Sequence, residues 1–184
     1  MERSKTEKAE KRESGKAGNR HYRIEEATQA HVDALKGRLR QADLDEIAAG
    51  CGRDPDAVLE ISWRMSELRW AMIIRKVGNN GQEEDLVACI AGAARPTLAS
   101  AVGVPWMLGS RELDREGLPL GRESRQYVQV MRERFHFLEN RIDARQKRAI
   151  HWLRWLGFKI EPATPWGAKL MPFHPFWMRG AAHV

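Results

Sequence analysis

Two hydrophobic periods alternate along the chain. Tyr22 and Ile24 alternate with polar neighbours over His21–Ala27, which predicts a first strand. Thr28 is placed to cap a helix, and Val32, Leu35 and Leu39 recur at helical spacing. Leu44 and Ile47 predict a further helical turn or two, ended by Gly50 and Gly52. Asp54-Pro55 is a strong helix start: Asp caps, and Pro at the first helical position gives up no needed N–H. Ala57, Ile61, Met65 and Leu68 are expected to line one face of that helix, which should stop near Glu67.

The period then shortens. Arg69–Val77 is rich in β-branched and aromatic residues and reads as a strand. Gly78-Asn79-Asn80-Gly81 is a turn, and Leu86–Ala93 returns as a buried antiparallel strand. Val102–Leu108 is a third strand. Pro105 cannot donate to a ladder, so this strand is expected to lie at an edge, to bulge or to splay. Arg111–Gly121 reads as a charged loop. A helix follows over Arg122–Phe135, with Tyr127, Met131 and Phe135 on one face. Phe137–Ile142 extends that helix or forms a short strand with Leu138 and Ile142 inward. Ala144–Leu156 is helical, with Ala149, Leu153 and Leu156 on one face. Gly157 ends it, and Phe158–Ile160 starts a strand. Lys169–Met178 is aromatic and Pro-broken, a final short strand with an irregular end. This order predicts a single α/β domain.

Composition narrows the class. A chain of 184 residues with 42% hydrophobic residues and seven Trp is long enough to bury a core without staples. Its two cysteines, Cys51 and Cys89, make neither a disulfide framework nor a metal spacing. They read as reduced structural thiols in a reducing compartment. No apolar stretch approaches the roughly 20 residues of a membrane span. The charged N-terminus has no apolar core of a signal peptide. Those features predict a cytoplasmic protein, or one packed inside a particle that the host cell assembles.

The net charge of +6 is unevenly spread: residues 1–20 hold seven Lys or Arg against four Glu. Residues 1–20 read as a disordered mixed-charge arm, and 21–184 as the folded domain. The arm can touch RNA, DNA or an acidic partner, but its interleaved acids favour a plain solvated tail.

The order of elements resembles the GNAT acyltransferase fold, a mixed, mostly antiparallel central sheet flanked by helices. In that fold the sheet splays in its middle, and acetyl-CoA sits in the V-shaped gap. Arg145–Ile160 carries the resemblance. Ala149-Ile150 and Leu156-Gly157-Phe158 match a family segment in which Asn-x-x-Ala precedes a helix ending in Leu-Gly-Phe. "GVPWMLGSREL" and "FLENRIDARQKRAIHWLRWLGFKI" more narrowly resemble the internal virion protein family of podophages. The resemblance spans about residues 21 to 178. It implies a CoA arm paired with backbone groups freed near Trp106, Met107 and Leu108. It implies a pyrophosphate held by Gly117, Gly121 and Arg122 at a helix N-terminus. Gln146 falls where the family has Asn.

Several residues depart from that pattern. The family's pyrophosphate loop reads Gln/Arg-x-x-Gly-x-Gly/Ala. Arg115–Arg122 has the glycines without that spacing, and Pro119 removes an N–H. Leu153 stands where many GNAT enzymes have a Tyr that protonates the leaving thiolate, and Leu has no proton to give. Glu67, Glu112, His136 and His151 are all chemically able to act as general base, and the sequence does not choose among them; His151 reads as a surface residue. The Arg-rich helices, with Trp152 and Trp155, suit phosphates and stacked bases, but read more simply as solvated faces with Trp packed on the sheet. Three functions follow. One is an N-acyltransferase using acetyl-CoA and an unknown amine acceptor. Another is a catalytically silent GNAT-like module acting with other phage proteins in particle assembly or infection. The third, less favoured, is a nucleic-acid binder.

Overall fold

Chain order becomes sheet order over the first half of the molecule. The computed structural model describes residues 22–77, 82–97, 99–115 and 120–181. The expected arm, the turn at Gly78–Gly81 and Gly117 lie outside the described residues. Strands β1 (Tyr22–Glu26), β2 (Ser66–Val77), β3 (Glu83–Ala94) and β4 (Val102–Gly109) pair antiparallel, each with the next. Between β1 and β2 lie α1 (Gln29–Leu35), α2 (Gln41–Gly50) and α3 (Pro55–Met65). After β4, α4 (Arg111–Arg115) and α5 (Leu120–Arg134) carry the chain to β5 (Phe137–Asp143), which runs parallel to β4. Then come α6 (Lys147–Leu156), β6 (Lys159–Ile160), β7 (Thr164–Trp166) and β8 (Met171–Arg179). The sheet order is β1-β2-β3-β4-β5-β8-β6, with β7 also on β8. Every pairing except β4–β5 is antiparallel.

Local chemistry sets most boundaries. Asp54 Oδ1 accepts from Ala57 N at 2.9 Å at the start of α3. Gly157, at φ 97°, ends α6 in the left-handed conformation that glycine adopts without a Cβ clash. α1 stops at Leu35, before the expected Leu39, because Gly37 turns the chain at φ 68°. Leu39 is buried all the same, in a bridge to Ser110. The expected loop after Ser110 opens with a helical turn, α4. Phe137–Asp143 is the strand alternative, with Leu138 and Ile142 inward. β8 is longer than expected, and β7 was not anticipated.

α3 buries the opposite face from the one expected. Ile61 and Met65 are 41% and 47% exposed, while Leu59 is fully buried with Val58 and Trp63 beside it. The large ring decides this: Trp63 packs inward, and its indole N–H donates to Ala27 O at 2.9 Å.

Two apolar layers flank the sheet. Ala71, Ile73, Val87 and Ile90 pack under α1–α3 against Val32, Leu35 and Leu59. Across the C-terminal half, Leu138, Ile142 and Phe176 meet Met131 and Phe135 of the α5 segment and Ile150, Leu153 and Leu156 of α6. No helix among the described residues is long and apolar enough to cross a membrane.

Gly103 is the last β4 residue paired with β5. A Cβ there would lie 2.6 Å from the Phe135 ring and 3.0 Å from Leu138. Gly103→Ala is therefore expected to destabilise the fold by about 1–3 kcal/mol, read by urea unfolding.

Candidate functional site between the splayed strands

β4 and β5 pair only at Val102↔Phe137 and Gly103↔Leu138. Continuing that register would set Pro105 opposite Asn140. There a side chain makes the bond instead of the backbone. Asn140 Nδ2 donates to Pro105 O at 2.9 Å, and Asn140 Oδ1 accepts from Arg141 N at 2.8 Å. A primary amide has the donor and acceptor of a peptide group, so one residue closes both strand edges at the narrow end. Pro105 sits where its missing N–H would face the gap, which is why a strand interior tolerates it. Strand residues alternate in the direction of their N–H and C=O. Met107 therefore turns both groups to the gap, while the backbones of Trp106 and Leu108 face β3.

At the wide end α2 takes the place of a strand. Asp43 Oδ2 accepts from Gly109 N at 2.8 Å and from Arg40 Nε at 2.9 Å. Arg40 N donates to Gly109 O at 2.9 Å, and its guanidinium reaches Asp114 at 3.1 Å. Three residues further along the same helix face, Glu46 is turned toward the backbone N–H of Asp143 at the end of β5. Gln146 Nε2 donates to Ala42 O at 2.7 Å, tying the start of α6 to α2. Asp143, 1% exposed, is gripped by the Arg145 guanidinium at 2.6 Å.

The acids of this end differ in charge state. Burial, then the nearby carboxylates of Asp43 and Asp143, pushes Glu46 up to about 7. Burial also raises Asp43, outweighing its bonds to Arg40 and Gly109. Burial pushes Asp143 upward too, but its bonds to Arg145 hold it below the usual carboxylate range. The buried Cys89 thiol is pushed up to about 12 by desolvation, which makes it an inert packing group. Cys51 is free and exposed.

A cavity of about 340 Å³ fills the gap. It is lined from both faces of the sheet: by Ile47, Val58 and Trp106 on one side, and by Tyr127, Trp152 and Leu153 on the other. Trp106, Met107, Leu108 and Gln146 all line it. The roles of these four differ. Met107 offers backbone, Trp106 gives its indole N–H to Ser66 Oγ at 2.7 Å, and Gln146 spends its amide on α2. Gly121 and Arg122 fall in the first turn of α5.

No protein-family model and no curated protein matches the chain. Solved structures do. YncA from Salmonella typhimurium, described as an acetyltransferase with its cofactor acetyl-CoA, is 13% identical, with a TM-score of 0.58 over 90% of this chain and 97% of that one. Ard1 from Thermoplasma volcanium is 13% identical, with a TM-score of 0.59 over 89% and 100%. The spermidine N-acetyltransferase of Vibrio cholerae, solved with CoA and spermine, is 8% identical, with a TM-score of 0.56 over 88% and 97%. The fold is that of the GNAT acetyltransferases.

Within the GNAT fold, the splay falls beside Pro105, as that residue suggested. Leu153 is a core residue between Ile150 and Leu156. None of the four bases considered from sequence lines the cavity. Glu67 is paired with Arg95 and Arg134, and Glu112 with Arg38 and Lys76. His136 and His151 are exposed. Asp43, Glu46, Asn140 and Tyr127 emerge instead; the only trace of the first two in sequence is their i, i+3 spacing. On the Arg-rich helices, Arg125 stacks over the exposed Trp155 at 4.0 Å, while Trp152 packs against the core. Asp43→Ala would strand the Gly109 N–H and leave the Arg40 guanidinium with Asp114 alone. It is expected to cost about 3 kcal/mol in chemical denaturation.

Proposed function

We propose that the chain transfers an acyl group from a CoA thioester to an amine. The observation that carries this reading is the strand edge at Met107. It presents a donor and an acceptor side by side in a largely apolar cavity, with the edge capped on either side. An extended, amide-bearing arm such as that of CoA pairs with such an edge as an added strand does. Acetyl-CoA is the donor proposed, on the likeness to structures that hold acetyl-CoA or CoA. Gly121 and Arg122, in the first turn of α5, are proposed to meet its pyrophosphate, because a helix N-terminus favours an anion. The thioester supplies an activated acyl carbon; transfer forms a C–N bond, breaks the C–S bond and releases one proton from the amine.

Glu46 is the group to take that proton. It lines the cavity, and a pKa of about 7 leaves a large share of it in basic form at neutral pH. Tyr127 brings a hydroxyl to the same cavity, and burial raises its pKa so that it keeps its proton. Leu153 favours a second reading, a module that binds the thioester without turnover and serves phage particle assembly or infection with other phage proteins. The resemblance to podophage internal virion proteins belongs to that reading.

Titration calorimetry with acetyl-CoA separates these from the rest. Binding in the micromolar to submillimolar range is expected, and none at millimolar ligand sinks the acyl-CoA reading. Turnover with any amine rules out the silent module.

Glu46→Gln tests the base. In the native protein kcat/KM should rise with pH through an ionisation near 7, because the carboxylate is the active form. Gln should lower it by roughly 100-fold and remove that ionisation. Stability carries the same signature. The folded-state pKa is raised from the ordinary 4.5 to about 7, so the folded state binds the extra proton between those values. Stability then falls as pH climbs through that window, and Gln should abolish that fall, read as Tm against pH.

A further inference from the structure

Arg141 is a cavity cation to which no acid among the described residues is given. Among the described residues two arginines line the cavity, Arg40 and Arg141. Arg40 is held by Asp43 and Asp114, and nearby Arg145 by Asp143. Among the described residues no carboxylate pairs with the Arg141 guanidinium. It lies over the Trp166 ring, 5.6 Å from the centroid. A half-buried guanidinium gains most from an anion with matching planar geometry.

Its placement relative to Glu46 is set by β5. Arg141 and Asp143 lie two residues apart on one face of that strand, about 6.6 Å along it. Glu46 is turned toward the Asp143 N–H. A carboxylate of α2 and a cation of β5 thus line the same cavity. Trp166, which backs Arg141, is itself fixed. Ala168 N donates to Gly50 O at 2.8 Å, Trp166 packs edge-on against Phe173 at 5.0 Å, and a Cβ on Gly50 would lie 3.1 Å from the Trp166 ring.

We propose that the acceptor is a small amine that also carries a carboxylate, an amino acid or a compound of similar size. Its ammonium meets Glu46 and its carboxylate meets Arg141, with a charge-assisted bond of about 2.8 Å at each end. This rests on the acyl-transfer reading and narrows its acceptor. The transfer balances: the ammonium gives one proton to Glu46, the freed amine nitrogen forms the C–N bond as the C–S bond breaks, and the second proton lost by nitrogen goes to the departing thiolate. The acceptor's carboxylate takes no part in the bond changes.

The test compares amino acids with their decarboxylated amines by calorimetry on the full chain saturated with desulfo-CoA, for the native protein, Arg141→Gln and Arg141→Lys. At least one amino acid should bind at least about tenfold tighter than its amine. Arg141→Gln should erase that preference, and Arg141→Lys should keep part of it, with acetyl-CoA affinity within about twofold in both. Equal binding of amine and amino acid, or a preference that survives Arg141→Gln, overturns the proposal. The native comparison decides the matter even if a variant fails to fold. If acetyl-CoA binds and no amino acid does up to millimolar concentration, the proposal falls and the acyl-donor reading stands. If acetyl-CoA does not bind, the acyl-transfer reading falls and takes this proposal with it.

Discussion

The architecture turns on β4 and β5 agreeing for two residues and then parting. Separated strands leave backbone groups that would be costly to bury unpaired. Here the bordering groups are answered by side chains. Asn140 serves both edges at the narrow end. Asp43 serves the β4 edge at the wide end, where Glu46 is turned toward the end of β5. The gap is held to its shape by bonds fixed at both ends, and Met107 lies between them. A ligand that completes the sheet at that residue meets an edge that is already spaced.

The same arrangement sets the electrostatics. α2 presents two carboxylates on one face to two strand ends. Asp43 receives a guanidinium as well as an N–H, while Glu46 faces a backbone N–H without a guanidinium beside it. The cation near Glu46 on β5's side, Arg145, is taken by Asp143. Glu46 is thus desolvated beside two other acids, and holding a proton near neutrality follows. Its pKa is a consequence of burying a third carboxylate at this end of the gap.

Legibility in the sequence followed the range of each signal. Asp54-Pro55, Gly157 and Pro105 act through their own backbone, and each marked its feature correctly. The buried face of α3 did not, because Ala57, Ile61 and Met65 offer as good a periodicity as Leu59 and Trp63. What chose between them was a hydrogen bond to Ala27, remote in sequence. Trp106, Met107 and Leu108 were located as a group, but only the register with β3 says which of them turns its backbone to the gap. Asp43, Glu46 and Asn140 were illegible for one reason. Each looks like an ordinary solvated polar residue until the strand it caps is brought beside it.

Leu153 shows the opposite error, of reading function from a single aligned position. It removes a hydroxyl from α6, yet Leu153 and Tyr127 line the same cavity from two helices. Tyr127 is set on the same face of α5 as the buried Met131, with its ring 4.9 Å from Trp70. The resources of the cavity are a property of its walls, and any helix that reaches a wall can supply them. Loss at one position is therefore weak evidence against chemistry until every wall has been inspected. These walls hold a hydroxyl, a carboxylate near neutrality and an arginine that no acid among the described residues pairs, none of them in the segment that first pointed to the fold.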